Sequence, residues 1–223
     1  MVITIGNQKG GVGKTTIATN LACLFARDRH VLLIDADTQQ SSADFHATRL
    51  ENESLPQFTC VAITKQTIHK DIKNFSNFDI VIIDVGGRDN AVFRSAILAS
   101  DYLIVPITPS QYDIWATEDT FQIIDEAKTI KDMKVYIVLN QVIPNTKIVR
   151  EVHEALMEKA EQYDLNIFKS ILSSRVAFKE AISFGVSVAE KDEKSKASAE
   201  LLNLYNDIKQ LLYLQTNHRE MQI

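Results

Sequence analysis

The feature that most constrains this chain is a glycine-rich loop between an apolar strand and a helix. Residues 9–16 read KGGVGKTT and follow the apolar, β-branched run of residues 2–5. Apolar residues then recur at helical spacing through residues 15–27. Strand, glycine loop and helix together form the context that a phosphate-binding loop requires. The sequence therefore predicts a nucleotide-phosphate site at this turn.

The residue types in the loop suit a bound phosphate chain. Glycines allow backbone amides to approach an anion closely, and the helix N-terminus adds partial positive charge. In this pattern Lys14 reaches the β- and γ-phosphates, and the hydroxyl of Thr15 ligates Mg²⁺. The predicted nucleotide-binding residues of the loop are Lys9, Gly10, Gly11, Val12, Gly13, Lys14, Thr15 and Thr16.

Apolar runs recur along the rest of the chain, with helical stretches between them. They cover residues 31–34, 58–61, 80–83, 103–105, 135–139 and 167–168. Continuous runs predict strands buried on both faces, and alternation with helices predicts a doubly wound, mostly parallel α/β sheet flanked by helices. The 223 residues suffice for one sizeable domain, which we place at residues 1–214, with a frayed polar tail at 215–223.

Composition narrows the choice of partners and compartment. The net charge of -5 gives no global attraction to nucleic acid, so DNA binding would need a local basic patch. No apolar run approaches the ~20 residues that span a bilayer, and no secretory signal is expected, which favours a cytoplasmic location. Cys23 and Cys60 fit reduced thiols, with Cys23 in the core, rather than a metal site.

Aspartates follow two of the predicted strands. Asp35 and Asp37 come after residues 31–34, and Asp84 comes directly after residues 80–83. Ligand sites in doubly wound sheets lie at the carboxyl ends of the strands. Mg²⁺ prefers one or two carboxylates together with substrate phosphates and retained waters. The predicted metal-site residues are therefore Thr15, Asp35, Asp37 and Asp84.

The loop departs from the standard phosphate-loop pattern in an informative way. Gln8 stands where a glycine is usual, and Lys9 follows it. In this form the loop resembles the deviant Walker A box of the ParA/MinD ATPase superfamily of P-loop NTPases. The Asp-x-Asp box and the Walker B strand that ends at Asp84 follow in the order typical of that family. Thr38 replaces the family's usual proline, which affects the local turn but leaves the carboxylates intact.

The sequence after the Walker B aspartate resembles one subgroup. Gly86, Gly87 and Arg88, together with residues 106–110 and Asp113, look most like the small plasmid-partition ParA proteins of the ParF type. The phosphate loop begins at residue 9, so we expect no helix-turn-helix domain before it. Site-specific operator binding of that kind is therefore not expected.

The resemblance implies roles for individual residues. Lys9 would cross a dimer interface and stabilise charge that develops during phosphoryl transfer on the partner's ATP. Asp37 would orient or activate the attacking water, and Gly86 and Gly87 would sense the γ-phosphate. Asn140 would bond the adenine edge, or it could serve only as a strand-end turn residue. The predicted catalytic residues are Lys9, Lys14 and Asp37.

Dimers of the ParA type bind DNA without sequence preference, through salt-dependent phosphate contacts. Arg175 and Lys179 are the favoured residues, because they open a stretch similar to the family's basic region. Several acidic residues lie near the other candidates, which also fits an ordinary solvated surface. The further candidates are Lys147, Arg150 and Lys169.

Together with the residues of the predicted site, this resemblance implies an ATPase that segregates DNA. ATP and Mg²⁺ would close a homodimer on nonspecific nucleoid DNA, and a small centromere-binding adaptor, of ribbon-helix-helix type, would stimulate weak intrinsic hydrolysis. One alternative is a MinD-like ATPase at the membrane, whose last helix would need a basic polar face. The last helix here carries Lys209 on its polar side, and its apolar residues favour core packing. Another alternative is a metabolic ATP-dependent synthetase, which would need a second substrate pocket.

Overall fold

A computed structural model describes residues 1–87, 90–144 and 146–220. The strands are β1 (Val2–Ile5), β2 (Val31–Asp35), β3 (Thr59–Ala62), β4 (Ile80–Asp84), β5 (Tyr102–Ile107), β6 (Lys134–Leu139) and β7 (Asn166–Ile167). The helices are α1 (Lys14–Phe25), α2 (Ser41–Leu50), α3 (Ile68–Asp71), α4 (Asn90–Ala99), α5 (Gln111–Lys128), α6 (Lys147–Gln162), α7 (Val176–Ile182), α8 (Val188–Lys191) and α9 (Lys196–Glu220), with a 3₁₀ turn at Ile72–Phe75.

The strands form one seven-stranded sheet in the order β3-β2-β4-β1-β5-β6-β7. Every pair of neighbouring strands in this sheet is parallel. The chain winds outward from β1 in both directions, so β4 lies on one side of β1 and β5 on the other. The predicted doubly wound α/β fold is confirmed. Loops after β1, β2, β4 and β6 meet at the edge of the sheet where such folds bind ligands.

Helices cover both faces of the sheet and enclose two apolar cores. Residues of α1, α2, α7, α8 and α9 contribute to one core, and residues of α3, α4, α5 and α6 contribute to the other. Successive residues of a buried strand point into different cores, as Ile82 and Ile83 of β4 do. Cys23 lies in the first core, as predicted.

The last helix is part of this core. Leu201, Leu204, Tyr205 and Ile208 of α9 are buried against the sheet layer. The prediction that the last helix packs in the core is therefore confirmed. Residues 215–220 continue α9, and residues 221–223 lie outside the described part of the chain.

The edge strand β3 differs from the sequence prediction. Its run was expected to be buried on both faces, but Thr59 and Ala62 are exposed, and Cys60 and Val61 are only partly buried. β3 stands at one end of the sheet and pairs with β2 alone, so it has a neighbouring strand on one side only. A continuous apolar run therefore indicated a strand correctly but overstated the burial of its side chains.

Candidate nucleotide and magnesium site

The glycine loop turns directly from β1 into α1. Gly11 and Gly13 have φ values of 78° and 88°, in the left-handed region that favours glycine. A Cβ atom on Gly13 would also lie 2.2 Å from Nδ2 of Asn140. Gly13 is thus required both by its backbone conformation and by its neighbour, and helix α1 begins at the next residue, Lys14.

Two side chains that follow β6 hold the backbone of the loop. Nδ2 of Asn140 donates to the carbonyl of Val12 at 2.7 Å, and Nε2 of Gln141 donates to the carbonyl of Gly11 at 2.7 Å. Asn140 is buried, and in this structure its side-chain amide is hydrogen-bonded to the loop. An adenine contact by Asn140 stays a prediction. Gln141 was not singled out in the sequence.

A second set of contacts holds the start of the loop, beside Lys9. Oδ1 of Asn7 accepts hydrogen bonds from the amide of Lys9 at 2.9 Å and from the hydroxyl of Thr120 at 3.1 Å. The amide of Gln8 donates to the Thr120 hydroxyl oxygen at 3.2 Å. Asn7 and Thr120 were missed in the sequence. The position of Asn7, between β1 and the loop, was the only available signal.

Lys14 points back over the loop that precedes it. Its ammonium donates to the carbonyl of Lys9 at 2.8 Å. Burial lowers the pKa of Lys14, while the negative charges of Asp84 and Asp37 oppose that shift. A buried ammonium beside two carboxylates and a ring of backbone amides is suited to a polyanion, because phosphate oxygens can replace the carbonyl contact.

Asp84 joins the loop to the end of β4. One of its oxygens, Oδ2, accepts the hydroxyl of Thr15 at 2.7 Å and the hydroxyl of Ser42 at 2.8 Å. The other oxygen, Oδ1, is buried and has no hydrogen-bond partner among the described residues. Burial raises the pKa of Asp84 to about 6, although both hydroxyls oppose the shift. The contact between Thr15 and Asp84 brings together two of the residues predicted to form a metal site.

Asp35 and Asp37 lie at the end of the neighbouring strand and have different surroundings. Asp35 is fully buried and accepts the amides of Asp37 at 3.0 Å and Ala43 at 2.9 Å, so it holds the start of α2. Burial raises the pKa of Asp35 despite these hydrogen bonds. Asp37 instead lines an open cleft, where its carboxylate can meet a ligand. The structure thus favours Asp37 over Asp35 for direct chemistry.

The cleft has a volume of about 1110 Å³ and runs between the glycine loop and the loops after β2 and β4. Gly86 and Gly87 close one side of it. A Cβ on Gly86 would lie 2.9 Å from the carboxylate carbon of Asp37, and one on Gly87 would lie 2.9 Å from the carbonyl oxygen of Gln8. Only glycine permits this segment to contact both the acidic site and the phosphate loop. Arg88, the next residue, lies outside the described residues.

The residues present fit Mg²⁺ bound together with a nucleotide. Thr15 offers a hydroxyl, and Asp84 offers a buried oxygen that lacks a donor. In the described ranges no group of three or more His, Cys, Asp or Glu side chains could hold a metal. Mg²⁺ needs no such group, because phosphates and waters complete its octahedral shell. Thr15 and Asp84 are therefore the residues that would hold this metal.

The predicted DNA-contact residues do not lie in one helix layer. Lys147 and Arg150 lie on α6, which packs on one face of the sheet. Lys179 lies on α7, which packs on the other face, and Arg175 is the residue before α7. Arg175 forms an ion pair with Glu200, with Nη2–Oε1 at 2.5 Å and Nε–Oε2 at 3.1 Å. Lys169 and Lys179 are exposed, and the side chain of Asp113 is not described.

The parallel sheet, the glycine loop held on both sides and the adjoining carboxylates define a P-loop nucleotide-binding domain. The chain belongs to the family described as the CobQ/CobB/MinD/ParA nucleotide binding domain, whose model matches residues 3–188. The predicted ParA/MinD relationship is therefore confirmed.

Known proteins similar to the chain include relatives over nearly its whole length. One is Maintenance of carboxysome distribution protein A of Halothiobacillus neapolitanus, 28% identical, with 90% of this chain and 92% of that protein covered. Another is Sporulation initiation inhibitor protein Soj of Bacillus subtilis, 24% identical, with 93% and 97% covered. A solved complex of ATP with a McdA variant of Cyanothece matches with a TM-score of 0.79 at 20% identity, covering 95% of each chain. The last likeness supports the fold.

Proposed function

We propose that the chain is a Mg²⁺-dependent ATPase of the ParA type that uses ATP to control its association with DNA. The observation that carries the proposal is the contact between Thr15 and Asp84 at the mouth of the glycine loop, 2.7 Å between oxygens. It joins the predicted phosphate loop to the Walker B carboxylate. Lys9, at the rim of the same cleft, supports a site that a second copy completes.

Each residue of the cleft has a distinct role in this proposal. The loop amides and Lys14 would bind the phosphate chain, and Thr15 and Asp84 would hold the metal. Bound Mg²⁺ supplies charge neutralisation for phosphoryl transfer. Asp37 orients the attacking water and accepts its proton. Gly86 lies against Asp37 and Gly87 lies against Gln8. A backbone change of these glycines on loss of the γ-phosphate would therefore affect both the acidic site and the phosphate loop.

The cargo that we favour is DNA. In this proposal the ATP-bound homodimer binds nonspecific nucleoid DNA in the cytoplasm, and a small adaptor on a centromere-like site stimulates hydrolysis. Relatives named for chromosome partitioning, such as ParA of Myxococcus xanthus at 24% identity, support this choice. A second candidate cargo is a protein compartment rather than a DNA molecule, because a relative at 28% identity is named for carboxysome distribution. In both cases the ATPase would be the same and the adaptor would differ.

Two alternatives have less support. A MinD-like membrane role would need an amphipathic helix free to lie on lipid, whereas Leu201, Leu204 and Ile208 of α9 are buried in the core. Across the described ranges, no helix is long and apolar enough to cross a bilayer. A synthetase would need a second substrate site. The neighbouring cavity of about 350 Å³ shares Lys9, Gly10 and Gly11 with the nucleotide cleft, which supports a single extended site.

The test combines ATP hydrolysis with binding to two surfaces. Purified protein is incubated with ATP and Mg²⁺, and its binding to nonspecific DNA and to anionic liposomes is measured against salt concentration. We expect slow phosphate release and DNA binding that requires ATP and weakens steeply with salt. Lys14→Ala should lose nucleotide and DNA binding together, whereas the exposed Lys70→Ala should lose neither. Binding to liposomes but not DNA would favour the membrane alternative, and tight ATP binding by Lys14→Ala would contradict the site.

A further inference from the structure

The two oxygens of the Asp84 carboxylate have unequal surroundings. Oδ2 accepts two hydroxyl donors, from Thr15 at 2.7 Å and from Ser42 at 2.8 Å. Oδ1 is buried and has no hydrogen-bond partner within the described chain. Two donors on one oxygen restrict rotation of the carboxylate, because any rotation lengthens at least one hydrogen bond. Oδ1 is thus the atom left to accept a hydrogen bond from metal-bound water.

We propose that Ser42 is a positioning residue for the metal-binding carboxylate of Asp84. The inference rests on the proposed function, and it gives a role to a residue that the sequence did not single out. Ser42 is fully buried, whereas Thr15 lines the cleft. Thr15 can therefore contact the metal, while Ser42 acts through Asp84. Its hydrogen bond to Oδ2 restricts the orientation of the carboxylate that would hold the metal.

The local fold explains why this serine reaches Asp84. Asp35 and Asp84 are register partners on the neighbouring strands β2 and β4. Oδ2 of Asp35 accepts the amide of Ala43 at 2.9 Å, which fixes the first turn of α2 over the strand ends. Ser42 is the residue before Ala43, and its hydroxyl crosses from α2 to β4. Buried Asp35 therefore has a structural role, because it places the donor that orients Asp84.

Loss of the Ser42 hydroxyl should affect the metal more than the nucleotide. In Ser42→Ala, Oδ2 of Asp84 keeps only Thr15 as a donor among the contacts described here, so the carboxylate can rotate away from the metal shell. Removal of such an outer contact typically weakens metal affinity by about 10-fold to 100-fold. Nucleotide affinity without Mg²⁺ depends on the loop amides and Lys14, so it should stay unchanged. Ser42→Thr keeps a hydroxyl and should retain most of the Mg²⁺ response.

The experiment titrates Mg²⁺ against a fixed concentration of fluorescent ATP analogue, and it also measures analogue affinity in EDTA. The Mg²⁺ concentration at half response should rise at least about tenfold in Ser42→Ala. Thr48→Ala is the matched control, because its hydroxyl lies on the same helix and bonds only the carbonyl of Asp44 among the contacts seen, at 3.1 Å. Thermal unfolding without metal checks that each variant is folded.

Two results would overturn the inference alone. One is an unchanged Mg²⁺ midpoint in Ser42→Ala beside a responsive wild type. The other is an equal loss of affinity with and without Mg²⁺, which would assign Ser42 to the fold or the loop. If the ATP affinity of the wild-type protein did not depend on Mg²⁺ concentration, the inference and the proposed ATPase would both be overturned.

Discussion

The guanidinium of Arg49 lies fully buried against the carboxylate of Glu190, with Nη2–Oε1 at 2.8 Å and Nη1–Oε2 at 3.0 Å. The same guanidinium donates to the carbonyls of Pro56 and Gly185. Glu190 also accepts the amide and hydroxyl of Ser187, at the start of α8. This ion pair joins α2, which follows the acidic loop of the site, to α8, and the bond to Gly185 reaches the segment between α7 and α8.

Arg49→Ala should strongly destabilise the domain. The variant leaves the Glu190 charge and two carbonyls buried without their donor, and breaking a buried pair typically costs about 3–5 kcal/mol. Urea unfolding gives the difference in free energy. The control is Arg94→Ala, because the ion pair between Arg94 and Glu126 is solvent-exposed and should contribute less than about 1 kcal/mol. Equal losses of unfolding free energy in the two variants would show that the buried pair stabilises the domain no more than the exposed pair does.

Asp37→Ala should separate nucleotide binding from hydrolysis. The Asp37 carboxylate lines the cleft but does not form the loop, so ATP affinity should change little. Loss of a group that orients water and accepts a proton should slow phosphate release by roughly 100-fold or more. Gly86→Ala should slow it in the same direction, because its Cβ would push on Asp37. Single-turnover phosphate release and nucleotide binding are measured on the same samples, and wild-type hydrolysis by Asp37→Ala would remove Asp37 from this role.

Asp84→Asn should stabilise the metal-free protein at neutral pH while abolishing the Mg²⁺ response. Burial raises the pKa of Asp84 from 3.8 to about 6, so the folded state holds its proton more tightly than the unfolded state. The contribution of Asp84 to the free energy of unfolding is therefore greatest below about pH 4. It falls as pH rises towards 6 and stays low above that pH. At pH 7 the variant should gain roughly 1–3 kcal/mol, and the gain should vanish towards pH 4.

Unfolding in EDTA between pH 4 and pH 7 measures this effect. The control variant is Asp132→Asn, at an exposed position on the loop between α5 and β6. A destabilised Asp84→Asn protein at pH 7 would contradict the prediction, because it would mean that the charge is well solvated or paired. Loss of the Mg²⁺ effect on nucleotide affinity in the same variant would show that the carboxylate is kept for function at a cost in stability.

Arg175, directly before α7, and Lys179, on α7, should contribute unequally to DNA binding. Lys179 is exposed, whereas Arg175 is held by Glu200. Lys179→Ala should reduce the slope of log affinity against log salt by about one, as expected for one lost phosphate contact. Glu200→Gln should release Arg175 and strengthen ATP-dependent binding if Arg175 meets DNA. Fluorescence anisotropy over a salt series gives both slopes, and unchanged slopes in both variants would move the DNA surface away from α7.

Local patterns in the sequence predicted the loop, the strands and the place of Thr15 and Asp84 in one metal site. These features depend on residues that are close in sequence or that end neighbouring strands of a common fold. The contacts that hold the site together were not predicted. The Thr120 hydroxyl bonds Asn7 across 113 positions, and Arg49 pairs with Glu190 across 141 positions. Such residues are common along the chain, and their spacing in sequence does not indicate which of them will be in contact.

Ser42 illustrates the same limit on a smaller scale. The prediction of the acidic box stopped at Asp37, because carboxylates are the obvious ligands of Mg²⁺. Whether Ser42 faces solvent or β4 depends on the position of α2 over the strand ends. That position in turn depends on the register of Asp35 with Asp84. The burial of β3 was overestimated for a related reason, since its apolar run carries no information about its place at the sheet edge.

The hydrogen bonds from Asn140 and Gln141 to the glycine loop have a consequence for the rate of nucleotide exchange. Because these hydrogen bonds restrict the backbone of the loop, nucleotide binding should need less ordering of the loop amides. Loading should therefore be limited by encounter rather than by rearrangement of the loop. In the ATPase that we propose, the time spent in the ATP-bound form would then depend on hydrolysis and product release.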